Sequence, residues 1–210
     1  MNNGDIITFN TKKNLTYIKP LGAGGTGDTH LFLDETTGIQ FAIKKYVPKD
    51  YRHVDEYYNR FVDEIVILFN ISHPNIVRIY NYYLFPEVKT GYLQMEYVDG
   101  TTIDKFEPTP WGKDWNDIFR EVISAFEYLE QHNILHRDIR PANILIDKNE
   151  NAKIIDFGFG KHLESTSKDE NSIVLNWPAT EMPDEVKLSG DYNEQTEIYF
   201  VGILFEHLLK

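Results

Sequence analysis

The chain has 210 residues, of which 41% are hydrophobic and 14% aromatic, and its formal net charge is −12. This composition is typical of a globular chain with a sizeable core and not of a disordered segment. The acidic balance argues against a general nucleic-acid or membrane-surface binder, because an acidic surface repels both partners. The sequence contains no cysteine, which excludes disulfides, Cys-ligated zinc and cysteine nucleophiles.

The N-terminal residues and the most apolar run do not indicate a targeting or membrane segment. The first ten residues lack the basic leader and the apolar core of a secretory signal. The longest strongly apolar run, residues 198–205, is too short to span a bilayer and predicts a buried helix. We therefore expect a cytoplasmic protein without a membrane partner, although secretion into another cell stays open.

The first chemical motif in chain order is a glycine-rich run, LGAGGTG at residues 21–27, which follows a predicted strand at residues 15–18. Glycines at this spacing let backbone N–H groups approach phosphate oxygens closely. A ligand-free hairpin turn explains the run about as well. Strands are then predicted at residues 29–33 and 39–47, and this strand-turn-strand order differs from the strand-to-helix context of a dinucleotide fold.

Helical and strand patterns alternate over the next hundred residues. Apolar residues at helical spacing predict one buried helix face, made of Tyr58, Phe61, Val62, Ile65, Leu68 and Phe69. Strands are predicted at residues 77–85 and 91–98, which brings the number in the N-terminal half to five. Residues 101–113 contain two prolines and predict a loop, and a second helix is predicted over residues 115–132.

Most of the chemistry lies within residues 135–158, LHRDIRPANILIDKNENAKIIDFG. Two β-branched-rich runs within it predict a hairpin that holds Asn143 and Asp156 at its open end. Two oxygen ligands brought together suit Mg²⁺, which proteins hold by one or two carboxylates plus substrate phosphates. Asp138 is then left to orient and deprotonate a hydroxyl.

The pattern H-R-D-x-x-x-x-N followed by D-F-G resembles the catalytic and metal loops of the eukaryotic-type protein kinases. The resemblance extends over roughly residues 15–209. It implies an α+β, bilobal fold with a five-stranded antiparallel sheet and one helix at residues 1–98. A mainly helical and incomplete second lobe would occupy residues 99–210. ATP and Mg²⁺ as cofactors, a protein substrate and no nucleic acid are implied as well.

The resemblance assigns catalysis to four residues and magnesium to two. Asp138 would be the base, Lys44 would position the phosphates and Arg140 would contact the transferring phosphate as a planar cation. Asn143 and Asp156 would hold the metal. Glu64, on the first helix, would be the ion-pair partner of Lys44.

Further residues would hold the nucleotide. Gly22, Gly24 and Gly27 would cover its phosphates. The main chain of Glu96 and Val98 would meet the adenine edge, and Met95 would limit the depth of the pocket. The adenine faces would be lined by Thr29, Ala42 and Leu145.

Several positions depart from the family pattern. Thr29 replaces the usual valine, which predicts a weaker apolar contact with adenine. Thr180 replaces the proline of the family's Ala-Pro-Glu motif. Val174 replaces the threonine that touches the catalytic aspartate in Ser/Thr kinases, a position that bears on the peptide groove. Glu197 replaces the aspartate that anchors the catalytic loop, and we expect its extra methylene to be accommodated. His136 is expected to be structural, packed against Phe157.

Regulation and the C-terminal end leave alternatives open. Arg137 could pair with a phosphate on the polar segment that carries Ser165, Thr166, Ser167 and Ser172; a solvated loop without regulation explains the segment equally well. The family's last helices are absent, which should expose the underside of a helix at residues 198–209. We therefore expect either a piece of a longer protein or a reduced kinase whose partner protein covers this helix.

The resemblance favours an ATP-dependent protein kinase directed at Ser/Thr hydroxyls. One alternative is a pseudokinase-like module that keeps the nucleotide site and signals by docking a partner. Another is a small-molecule phosphotransferase of the aminoglycoside or choline type, which shares an H-x-D-x-x-x-x-N loop but matches the remaining motifs less well.

Overall fold

The computed structural model describes residues 14–23, 27–47, 54–158, 160–162 and 192–210. The N-terminal part is a five-stranded antiparallel sheet of order β1-β2-β3-β5-β4, with one helix, α1, after β3. Its elements are β1 (Thr16–Ala23), β2 (Gly27–Asp34), β3 (Ile39–Tyr46), α1 (Val54–Asn70), β4 (Ile79–Phe85) and β5 (Thr90–Glu96). The α+β class and the five-stranded sheet predicted from the sequence are confirmed.

The central strand of this sheet is β3, because it pairs with β2 on one side and β5 on the other. Alternation along β3 sends Ala42, Lys44 and Tyr46 to one buried face. Tyr46 packs against Phe61 of α1 with ring centroids 5.5 Å apart. The apolar face of the helix therefore sits on the same side of the sheet as Lys44.

Helix α1 follows its apolar periodicity with two exceptions, of which the first is that Ile67, outside the predicted face, is also buried. Phe61, Ile65 and Leu68 are almost fully buried, as the spacing predicts. Phe69, expected on the same face, is 53% exposed and packs edge-on against the surface residue Tyr82 at 5.5 Å. Phe69 directly follows Leu68, and a step of 100° around the helix turns it away from the core.

The C-terminal part combines two long helices with short strands. Helix α2 (Trp115–Gln131) starts with a capping box from Asp114, and α3 (Glu194–Leu208) starts with one from Asn193. The strands are β6 (Gly100–Thr102), β7 (Ile134–Leu135), β8 (Ile144–Asp147), β9 (Ala152–Ile154) and β10 (Lys161–His162). The predicted hairpin is β8-β9, and it is extended by β6 into a three-stranded sheet.

Helix α3 is covered on one side by α2. Its Phe205 packs against Phe119 of α2 with ring centroids 4.8 Å apart, and Phe200, Val201 and Leu204 are almost fully buried. The predicted exposure of this helix is partial: the large hydrophobic residues that solvent reaches are Ile198 and Tyr199 on the helix and Leu209 just after it. Among the described residues, none of the helices is both long and apolar enough to cross a membrane.

The N-terminal and C-terminal parts are tied together by residues 75–77. Val77 N–H donates to Ile154 O at 2.9 Å, and Ile154 N–H donates to Asn75 O at 2.8 Å. The Asn75 side chain also donates to Ala152 O at 2.9 Å. These bonds join the segment that precedes β4 to β9 of the C-terminal sheet.

The packing of α1 can be tested with two phenylalanines on the same helix. Phe61→Ala should lower the free energy of unfolding by about 3–5 kcal/mol, because it removes a fully buried ring from a packed core. Phe69→Ala should lower it by less than about 1 kcal/mol, since that ring is half exposed. Urea unfolding of both variants measures the difference, and equal losses would contradict this packing.

Candidate active site

Lys44 is the centre of a buried ion network. Its side chain is 5% exposed, and its Nζ donates to both carboxylate oxygens of Glu64 at 2.8 Å. The same Nζ donates to Asp156 Oδ1 at 2.9 Å. Burial alone would lower the pKa of Lys44, but the carboxylates of Asp156 and Glu64 outweigh burial and raise it. The lysine is therefore a permanent cation at this site.

Three separate elements deliver these groups. Strand β3 supplies the lysine, α1 supplies Glu64, which is 1% exposed, and the loop after β9 supplies Asp156. The ion pair that the sequence predicted between Lys44 and Glu64 is present. The Lys44 cation also holds the pKa of Asp156 below its ordinary range.

The loop that carries Asp156 has an unusual backbone. Asp156 has a φ of 64°, in the left-handed region that residues other than glycine rarely adopt. Its Oδ1 accepts from Gly158 N–H at 3.4 Å, and Phe157 is buried with its ring centroid 4.6 Å from that of His136. The predicted contact between Phe157 and His136 is thus present.

Asp138 is buried, and its two carboxylate oxygens differ. Asn143 Nδ2 donates to Asp138 Oδ2 at 2.7 Å and to the Asp138 main-chain oxygen at 2.9 Å. Asp138 Oδ1 is buried and has no hydrogen-bond partner in the described part of the chain. Burial raises the pKa of Asp138 to about 6, so this group can accept a proton near neutral pH.

Asn143 connects the predicted catalytic loop, which begins at His136, to the predicted metal loop, which carries Asp156. It ends a short 3₁₀ turn, Pro141–Asn143, and its main-chain oxygen accepts from Ile155 N–H at 2.9 Å. Because Nδ2 is directed at Asp138, the carboxamide oxygen is left on the other side of the group. The two oxygen ligands predicted from the sequence, Asn143 and Asp156, are thus carried by neighbouring segments.

His136 has a structural role in this geometry. Asp138 N–H donates to Nδ1 at 3.3 Å, so Nε2 carries the hydrogen and donates to Ile155 O at 3.1 Å. Burial lowers the pKa of His136 to about 4, and the ring is neutral at physiological pH. It bridges the two loops, as expected, and both of its ring nitrogens are engaged in hydrogen bonds.

Glu197 anchors the catalytic loop from α3. Its Oε2 accepts from His136 N–H at 2.9 Å, and its Oε1 accepts from Arg137 N–H at 2.7 Å and from the Tyr192 hydroxyl at 3.1 Å. Arg137 has φ of 65°, so these bonds hold a strained turn. The extra methylene relative to aspartate is accommodated. Tyr192 was not anticipated from the sequence.

The residues predicted around the adenine come from both the N-terminal and the C-terminal part, and the gap between these parts is called the cleft below. Ala42 and Met95, both 8% exposed, are opposite each other on β3 and β5. Leu145 on β8 is half-buried. Glu96 N–H already donates to Arg78 O at 2.8 Å, so this N–H is not available to a ligand. Val98 lies two residues after the end of β5.

The glycine run is described in part. Gly22 and Thr29 pair across β1 and β2, and a Cβ at Gly22 would meet nothing. At Gly27 a Cβ would collide with the main-chain oxygen of Lys45, so strand packing already requires glycine there. Gly24, the segment with Ser165, Thr166, Ser167 and Ser172, and both Val174 and Thr180 lie outside the described residues. Arg140 is exposed beside the catalytic loop.

The family model of the protein kinase domain matches residues 15–210 of this chain. The chain belongs to the protein kinase family. Serine/threonine-protein kinase PrkC of Bacillus subtilis is 33% identical over 195 residues, which cover 91% of this kinase chain and 30% of that protein. The probable serine/threonine-protein kinase PknB of Lactococcus lactis is 30% identical over 195 residues, or 91% of this chain and 31% of that protein.

A eukaryotic relative matches to a similar extent. Aurora/IPL1-related protein kinase 2 of Caenorhabditis briggsae is 30% identical over 193 residues, which cover 89% of this chain and 60% of that protein. This kinase chain thus spans about a third of the length of the bacterial relatives. ATP and Mg²⁺ are the usual cofactors of the family to which it belongs.

The anchoring role of Glu197 predicts a pH dependence of stability. Burial raises the pKa of Glu197 from 4.5 to about 7. The folded chain therefore binds this proton more tightly than the unfolded chain does. The resulting stabilisation is complete below pH 4.5 and is lost as the pH rises to about 7.

Glu197→Gln removes the titration and keeps the size of the side chain. The free energy of unfolding of the native kinase, relative to this variant, should fall by on the order of 3 kcal/mol between these two pH values. Denaturant unfolding at several pH values measures it. A difference that is constant with pH would contradict the buried position of this carboxylate.

Proposed function

We propose that this chain is an ATP- and Mg²⁺-dependent protein kinase that transfers the γ-phosphate to Ser/Thr hydroxyls of proteins. The observation that carries the proposal is the state of Asp138. One carboxylate oxygen is held by Asn143 while the other is buried without a partner among the described residues. A substrate hydroxyl would satisfy this oxygen, and Asp138 would orient that hydroxyl and accept its proton.

The oxygen atoms of Asn143 and Asp156 that could act as metal ligands fit magnesium. Asn143 directs its Nδ2 at Asp138, and Asp156 uses Oδ1 toward Lys44, so each residue keeps an oxygen for a hard cation. Magnesium bound there would neutralise charge on the nucleotide phosphates. The depressed pKa of Asp156 keeps that ligand ionised.

The phosphates would lie between Lys44 and the glycine run. Glu64 and Asp156 fix the direction of the lysine, so its ammonium would meet phosphate oxygens without reorganising. Gly22, Gly24 and Gly27 would cover the phosphates from the β1-β2 hairpin. Arg140, exposed beside the catalytic loop, would contact the transferring phosphate.

The adenine would lie between Ala42 and Leu145, with Met95 at the back of the pocket. The main chain around Glu96 and Val98 would bind its polar edge. Because Glu96 N–H is engaged by Arg78 O, we assign the donor role to Val98 N–H. Thr29 would flank the ring with less apolar surface than valine provides. The names of the bacterial relatives support the Ser/Thr preference.

Transfer of radiolabelled phosphate from ATP with Mg²⁺, to the chain itself and to a generic basic protein, tests this proposal. Asp138→Asn keeps the hydrogen-bonding shape but not the base, and it should lower the rate by about 100-fold or more. Asp104→Asn, an exposed carboxylate in the same C-terminal part, should leave the rate unchanged.

No transfer by the native chain, alongside measurable ATP binding, would contradict the kinase activity and favour a pseudokinase-like docking module. Equal rates for the native chain and Asp138→Asn would contradict the role of Asp138.

The Lys44 network gives a second expected outcome. Glu64→Gln leaves Asp156 as the one carboxylate that contacts Lys44 among the described residues, and loss of the second negative charge should lower kcat/KM for ATP by about tenfold or more. Asp63→Asn alters the adjacent carboxylate on the exposed side of α1 and serves as the control. Steady-state kinetics at varied ATP concentration measure kcat/KM of both variants. An equal loss of kcat/KM in the control would contradict the role of the ion pair, because it would show that any negative charge on α1 has this effect.

A further inference from the structure

A second ion pair joins the two parts of the chain, between β9 and the end of β5. Lys153 Nζ lies 2.9 Å from Glu96 Oε1 and 3.0 Å from Glu96 Oε2. The two side chains are 15% and 27% exposed. An exposed pair close by, Lys148 and Asp99, is 75% and 50% exposed. The Lys153 pair is therefore the less screened of the two.

Lys153 shares a sheet face with the proposed adenine floor. In the sheet β6-β8-β9, Leu145 is directly opposite Thr102 on one side and Lys153 on the other. Directly opposed residues in an antiparallel sheet point to the same face. The lysine side chain thus leaves the sheet beside Leu145 and reaches the end of β5.

Glu96 is held at three points at that end of β5. Its N–H donates to Arg78 O at 2.8 Å, and its Oε2 accepts from Arg78 N–H at 3.2 Å. Lys153 supplies the third contact, which is the one from the C-terminal part. The main chain that follows Glu96 is the proposed adenine edge, so the position of this carboxylate bears on the gap between that edge and Leu145.

We propose that Lys153 is a positioning residue which, through Glu96, sets the width of the nucleotide pocket; this inference rests on the function proposed above. The pair acts on nucleotide binding and lies apart from Asp138, where the transfer would occur. The main-chain bonds of Val77 and Asn75 to Ile154 hold the two parts together without it. Loss of the pair should therefore alter the pocket and leave the fold intact.

A double-mutant cycle tests this inference. Lys153→Met keeps the apolar stem and removes the cation, and Glu96→Gln keeps an acceptor for Arg78 N–H. Each should weaken the binding of a fluorescent ATP analogue with Mg²⁺ by roughly three- to tenfold, and the double variant should bind no more weakly than either single variant. Lys153→Arg should restore native binding. KM for ATP should rise in the two single variants while kcat stays unchanged.

Lys148→Met removes the lysine of the exposed pair and should leave the affinity unchanged. Native affinity in both single variants, or losses that add in the double variant, would overturn the inference while the proposed function stands. A lower melting temperature without a change in affinity would show a purely structural pair and would also overturn it. If the native chain binds no nucleotide, the proposed function fails and this inference fails with it.

Discussion

The buried cation of Lys44 is the constraint on which the site depends. A charge this deeply buried is stable only if carboxylates surround it with good geometry. Glu64 and Asp156 meet that need from a helix and a loop that are distant in sequence. The helix can deliver its carboxylate only when Phe61 and its neighbours are packed on β3, so hydrophobic packing determines the electrostatics of the cleft.

The catalytic loop depends on a different kind of support. Arg137 and Asp156 both have φ near 65°, a conformation that costs a non-glycine residue roughly 1–3 kcal/mol. Glu197 offsets the strain at Arg137 by accepting two main-chain N–H groups, and His136 joins the two strained segments by bonds to Asp138 and Ile155. The loop is thus held mainly by bonds to its main chain. Asn143 occupies one Asp138 oxygen, and the other has no partner among the described residues.

The sequence predicted the five-stranded sheet, the three long helices and the contacts of Lys44 with Glu64 and of His136 with Phe157, because long periodic segments and spaced motifs carry them. It missed β6, β7 and β10, which have two or three residues each, too few for alternation to show. The ion pair of Lys153 was missed because a lysine on a short strand has no pattern that reveals its partner. The exposure of Phe69 was missed because its spacing was assigned to the apolar face, although one helical step from Leu68 turns it away from the core. The nucleotide and metal roles of the site residues remain predictions.

The carboxylates of the cleft favour a cation in addition to Lys44 and Arg140, the two whose charges lower the pKa of Asp138. The negative charges of the Glu64 and Asp156 carboxylates together exceed the single positive charge of Lys44. Asp138 adds a third negative charge when it ionises. After burial, the repulsion from Asp156 contributes to the raised pKa of Asp138. A divalent cation beside Asp156 would reduce that repulsion and lower the pKa of Asp138. Magnesium would then favour the ionised base in addition to its effect on the phosphates, so the metal and base roles proposed here are coupled through a single carboxylate.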